Sequence, residues 1–151
     1  MNLLSELNII IKKLNEEKVD YALCGGLAVA IYGFVRATED IDLLILFKDI
    51  SIIKNILLNN GYTIEANPMT FQSDNVKIES ITKIDQKKGD AISVDLLLVT
   101  PEIEKVWDSI QTLIWNGMEL SIVSKQGLID LKKLRNSKQD QADIEYLMKE
   151  L

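Results

Sequence analysis

The chain has 151 residues, 47% hydrophobic and 26% charged, with a net charge of −6, one cysteine and no histidine. This is the composition of a globular chain long enough to bury a core. The missing histidine excludes Ser-His-Asp and Cys-His catalysis and any His-ligated zinc site, the lone Cys24 excludes an internal disulfide, and the acidic balance argues against broad, non-specific nucleic-acid binding.

Leu3, Leu4, Leu7, Ile10, Ile11 and Leu14 recur at helical spacing and predict an amphipathic helix over 3–17. The same stretch alternates apolar residues with Glu, Asn and Lys, unlike a secretory signal. No run of about 18 apolar residues predicts a membrane span. The expected compartment is therefore the cytoplasm.

Tyr21 to Cys24 reads as a buried strand, ended by Gly25 and Gly26, a turn where backbone can approach a ligand without an intervening Cβ. Leu27 to Phe34 is Ala-rich and predicts two turns of helix. Gly33 and the segment Arg36-Ala37-Thr38-Glu39 break it, and Asp40 to Leu46 reads as a second buried strand. Strand residues two apart share a face, so Asp40 and Asp42 stand side by side. Two carboxylates there repel one another and lose hydration. A divalent cation relieves both penalties, and hard oxygen donors suit magnesium, which shares its shell with water and substrate phosphates.

Asp49 or Ser51 is the expected cap of a helix reaching Asn60, with Gly61 past its end. Tyr62 to Glu65 predicts a short strand, Asn67-Pro68 a bend, and 70–83 one or two strands of open register. Asp85 to Asp90 reads as a solvated turn in which Lys87 and Lys88 join Lys83. Ala91 to Val99 is a third buried strand, apolar except for Ser93 and one acid, Asp95. Thr100 is the expected cap, and Pro101 the first residue, of a helix reaching about Ile110. Asn116-Gly117 between alternating residues predicts a hairpin over 114–120 with a type I′ turn. Ser124 is expected to cap a helix over 125–136, and a last helix follows over 139–151. Trp107 and Trp115 read as core or rim residues.

A Gly-Gly turn after a strand, thirteen intervening residues and an Asp-x-Asp flanked by apolar residues resemble the nucleotidyltransferase fold of the DNA polymerase β superfamily. The fuller pattern, Gly25-Gly26 through Arg36-x-Thr38-x-Asp40-Ile41-Asp42-Leu43-Leu44, looks most like the AbiEii-type group of bacterial toxin nucleotidyltransferases. The resemblance implies an α/β fold with a mixed, mainly antiparallel sheet flanked by helices. It implies one domain over 1–151, with a core of about 20–123 and C-terminal helices over 124–151. It also implies a third carboxylate from a neighbouring strand, and Val94-Asp95-Leu96-Leu97 resembles that element; Asp74 and Glu79 are weaker candidates. Asp40, Asp42 and Asp95 would then bind two magnesium ions and carry catalysis. Gly25, Gly26, Arg36, Thr38 and Lys132 would contact the nucleotide.

Leu128-Ile129-x-Leu131-Lys132, then Asp140 and Asp143, resembles the end of the AbiEii-type core. Ser137 stands where an arginine commonly falls in that group, so no phosphate contact is carried over from that position. Asp140 and Asp143 read as structural, at a helix end or paired with arginine. The implied reaction moves a nucleotidyl group from an NTP to a hydroxyl. The implied acceptor is RNA, such as a tRNA end, or protein, with a cognate antitoxin as partner. Small-molecule antibiotic acceptors, and a non-catalytic antitoxin-like binder with the same fold, are the alternative readings.

Overall fold

A computed structural model describes residues 1–71, 75–135 and 137–151. Among them, eight strands form one sheet: β1 (Ala22–Cys24), β2 (Asp40–Ile45), β3 (Ile64–Glu65), β4 (Met69–Phe71), β5 (Val76–Ile84), β6 (Ala91–Leu98), β7 (Gln111–Trp115) and β8 (Met118–Ile122). The spatial order is β3-β5-β6-β2-β1-β8-β7, with β4 also paired to β5. The β2–β6 and β1–β8 pairs are parallel and the other five are antiparallel, so the sheet is mixed and mainly antiparallel.

The two faces of the sheet differ because side chains alternate. Ile41, Leu43 and Ile45 of β2 and Val94, Leu96 and Leu98 of β6 are buried. They join the core with Leu7, Ile10, Ile11 and Leu14 of helix α1 (Leu3–Glu16) and Ile53, Ile56 and Leu57 of helix α3 (Ile50–Asn59). A polar knot ties α1 to this layer. Glu6 accepts from Tyr62 Oη at 3.0 Å and from Lys83 Nζ at 2.8 Å, which places Lys83 in an ion pair. Helix α2 (Gly25–Ile31) packs on β1 and β2 and touches α5 (Lys125–Arg135), which in turn packs on α6 (Lys138–Lys149).

Several expected boundaries move, each for a local reason. The Gly25-Gly26 pair forms the first turn of α2 rather than preceding it, and the helix ends at Ile31. The third strand is confined to Ile64–Glu65, because Tyr62 folds back to donate its N–H to Leu57. The described part of 70–83 contains β4 and β5. Asp49 occupies the N-cap of α3 without a side-chain cap bond. Thr100 occupies the N-cap position and Pro101 the first residue, but Thr100 makes no side-chain cap bond: its hydroxyl donates to the Asn75 carbonyl at 2.5 Å, and the expected long helix becomes a 3₁₀ turn, Pro101–Ile103, followed by α4 (Glu104–Asp108).

Two turn signals hold. Asn116 and Gly117 both take positive φ, 49° and 76°, as a type I′ turn between β7 and β8 requires. Ser124 Oγ accepts from the Gly127 N–H at 3.0 Å and caps α5. Ser137 takes a role of its own: it forms a capping box with Asp140 at the start of α6. Among the described residues no helix is long and apolar enough to cross a membrane.

Candidate active site

The strand register decides which acids meet. Asp42 of β2 lies directly opposite Asp95 of β6, and Asp40 lies opposite Ser93. Paired residues share a face, and Asp40 is two positions from Asp42, so all three carboxylates project from one side of the sheet. The same row continues outward: Ser80 of β5 pairs with Asp95, and Cys24 of β1 pairs with Asp42. Ser80 Oγ donates to Asp95 Oδ1 at 2.5 Å, which orients that carboxylate.

These acids stand at the floor of a cleft of about 630 Å³. Gly25, Gly26, Arg36, Thr38, Asp40, Asp42, Asp95 and Lys132, the eight residues singled out from sequence, all line it. Burial holds the Asp40 carboxyl above its ordinary value, helped by the negative charges of Asp95 and then Glu39. Asp40 and Asp95 are therefore near enough to repel. Among the described residues no three Asp, Glu or Cys side chains are drawn together closely enough to hold a metal ion by themselves.

The glycine turn is shaped to the side chains above it. Gly25 has φ +69°, and a Cβ there would sit 2.1 Å from Asp42 Oδ2. A Cβ on Gly26 would fall 2.9 Å from Thr38 Oγ1 and 3.1 Å from Arg36 Nη2. Asp42 thus rests on one glycine, and Thr38 and Arg36 on the other. The absence of both Cβ atoms is what lets acid, hydroxyl and guanidinium crowd one turn.

Arg36 and Lys132 are held from behind. Asp143, fully buried on α6, accepts from Arg36 Nε at 2.9 Å and Arg36 Nη2 at 2.7 Å, a bidentate pair. Lys132 Nζ lies 2.8 Å from Asp143 and 3.6 Å from Asp140, and the lysine itself is buried. Burial alone would raise the Asp143 carboxyl, but the hydrogen bonds from Arg36 and Lys132 outweigh it and hold the group low. Asp140 and Asp143, read from sequence as structural, are the buried anions of this network.

Of the weaker third-acid candidates, Glu79 points to the other face. It pairs with buried Leu96 and forms an ion pair with Lys54 of α3 at 2.6 Å. Asp74 lies outside the described residues. Ser80 escaped the sequence reading because nothing in 70–83 fixed the register that sets it opposite Asp95.

No protein-family model matches the chain, and no curated protein matches it by sequence. Solved structures do match. A provisionally named nucleotidyltransferase of Thermotoga maritima superposes with a TM-score of 0.61 at 17% identity, over 97% of this chain and 92% of the other. The lincosamide antibiotic adenylyltransferase LnuA, bound to lincomycin, gives 0.60 at 15% identity over 95% of each chain. ANT(2″)-Ia in complex with adenylyl-2″-tobramycin gives 0.63 at 13% identity, over 97% of this chain and 87% of the other. The chain therefore has the nucleotidyltransferase fold.

Proposed function

We propose that the protein is a magnesium-dependent nucleotidyltransferase that moves an NMP from an NTP to a hydroxyl acceptor. The observation that carries this reading is the facing pair Asp42 and Asp95, with Asp40 on the same face, beside the Gly25-Gly26 turn. These are hard oxygen donors around a carboxyl already disfavoured as an anion, which fits a divalent cation. Because the three acids do not close a shell by themselves, an ion here draws the rest of its ligands from water and the triphosphate, as magnesium does.

Asp40, Asp42 and Asp95 would hold two magnesium ions, which supply charge neutralisation on the triphosphate and acidify the acceptor hydroxyl. The chain's own residues do the rest. Gly25 and Gly26 present backbone N–H groups to the phosphates. Thr38, Arg36 and Lys132 line the same wall and add a hydroxyl and two cations. Asp95, oriented by Ser80, takes the acceptor's proton as general base. The acceptor oxygen forms a bond to the α-phosphorus, the α–β bridging P–O bond breaks, and pyrophosphate leaves with that electron pair.

Beyond the acids, the cleft walls are apolar, formed by Phe71, Ile78 and Leu97 on one side and Leu128, Leu131 and Leu134 on the other. Among the described residues its cations are Arg36 and Lys132, held from behind by Asp143 and Asp140 and assigned above to the triphosphate. With Arg36 and Lys132 taken up by the triphosphate, such a lining offers a second polyanion such as RNA little to bind and favours a small hydroxyl-bearing acceptor. LnuA and ANT(2″)-Ia, which carry antibiotic ligands, agree with that choice. An RNA or protein acceptor, with an antitoxin partner, rests on the AbiEii-type sequence motif. The test incubates the chain with labelled NTPs and magnesium against lincosamides, aminoglycosides, bulk tRNA and a cell lysate, with Asp42→Asn as control. Label in a small molecule, lost in the control, supports this acceptor class; label in RNA or protein moves the acceptor to that class. No label from any NTP in any acceptor refutes the enzyme.

A further inference from the structure

Asp143 does not line the cleft, yet its carboxylate receives four donors: Nε and Nη2 of Arg36, Nζ of Lys132, and Nε2 of Gln139 at 3.0 Å. Both cations that face the cleft among the described residues are therefore fixed by one anion carried on α6, 107 residues after Arg36. The bidentate grip turns the guanidinium so that Nη2 lies against Gly26, while Nη1 donates to the Ala37 carbonyl at 3.1 Å. Three of the five guanidinium N–H groups are used in this way. Helix α6 is itself seated on the segment that carries Arg36: Tyr146 stacks on Phe34 with ring centroids 4.8 Å apart, and Tyr146 Oη donates to the Tyr32 carbonyl at 3.4 Å.

We propose that Asp143 is a positioning residue of the nucleotide site, holding the Arg36 guanidinium and the Lys132 ammonium at the glycine turn so that they meet the triphosphate. This inference rests on the nucleotide reading above. It goes further by making phosphate affinity depend on a buried acid that touches no substrate, and on the docking of α6. An ion pair that served the fold alone would need no such aim. A lysine salt-bridged to the same acid would serve as well as an arginine, whereas placing a guanidinium edge beside Gly26 needs the fork.

The experiment uses the full chain and inorganic tripolyphosphate with magnesium as the probe, read by titration calorimetry, alongside KM and kcat for NTP turnover and thermal denaturation. Asp143→Asn is expected to weaken tripolyphosphate binding and raise the KM for NTP by about tenfold or more, with kcat changed less. Arg36→Lys, which keeps the charge and loses the fork, is expected to weaken the probe similarly. It decides the matter if Asp143→Asn does not fold. A folded Asp143→Asn variant with a lower melting temperature and unchanged tripolyphosphate affinity overturns the proposal, as does Arg36→Lys with wild-type affinity. If the unaltered protein binds neither tripolyphosphate nor NTP, the nucleotide reading itself falls and takes this inference with it.

Discussion

Gly25→Ala separates the two reasons for a glycine at that turn. Its φ of +69° costs an L-residue roughly 1–2 kcal/mol. For a chain of this size, a loss of that order lowers the melting temperature by about 2–8 °C. The second effect is local. The new Cβ would lie 2.1 Å from Asp42 Oδ2, so the carboxylate has to retreat by roughly 1 Å to regain ordinary contact. A displacement of that size at a reacting group costs on the order of 100-fold in rate. Gly89→Ala is the matched control: φ there is +75°, and a Cβ meets nothing within 4 Å. By scanning calorimetry both variants should lose the stability that positive φ costs, Gly25→Ala losing more because of its clash with Asp42, and Gly25→Ala alone should lose turnover in a pyrophosphate-release assay. Equal activity in the two variants would refute the claim that Gly25 is there for Asp42.

Three further outcomes concern Asp40, Asp143 and Gly127. Because the Asp40 carboxyl titrates above its unfolded value of 3.8, the native state binds the proton more tightly; stability should therefore fall as pH rises from the unfolded value through the raised native one. Asp40→Asn should flatten that part of a denaturant-versus-pH series, and a curve parallel to the wild type would contradict the assignment. Asp143→Ala leaves two cations facing a buried gap and should lower unfolding free energy by about 3–5 kcal/mol, measured by urea titration. Gly127→Ala places a Cβ 2.7 Å from Val123 Cγ1 and 3.1 Å from Val106 Cγ1, and should cost roughly 1–3 kcal/mol through overpacking of α5.

Much of the candidate site's layout was legible along the chain because its signals are local. Asp40 and Asp42 share a face by strand periodicity alone, and the apolar residues around them mark the strand as buried. Asn116-Gly117 and Ser124 act within a turn or a first helical turn, and both behave as their chemistry dictates. Thr100 takes the N-cap position but makes no side-chain cap bond, because a distant acceptor, the Asn75 carbonyl, competes for its hydroxyl. A helix signal of that kind is only a local preference, and tertiary contacts override it.

The order of apolar runs, the glycine turn and the paired acids were written in the sequence by itself, since each depends on residues a few positions apart. Whether Asp95 would stand on the side of Asp42, which serine would steady it, and which anion would hold Arg36 and Lys132 were decided only in three dimensions. The parallel register of β2 on β6 and the seating of α6 join residues up to 114 positions apart. Pairings at that separation are selected by packing the whole core, and no window of neighbouring residues carries them.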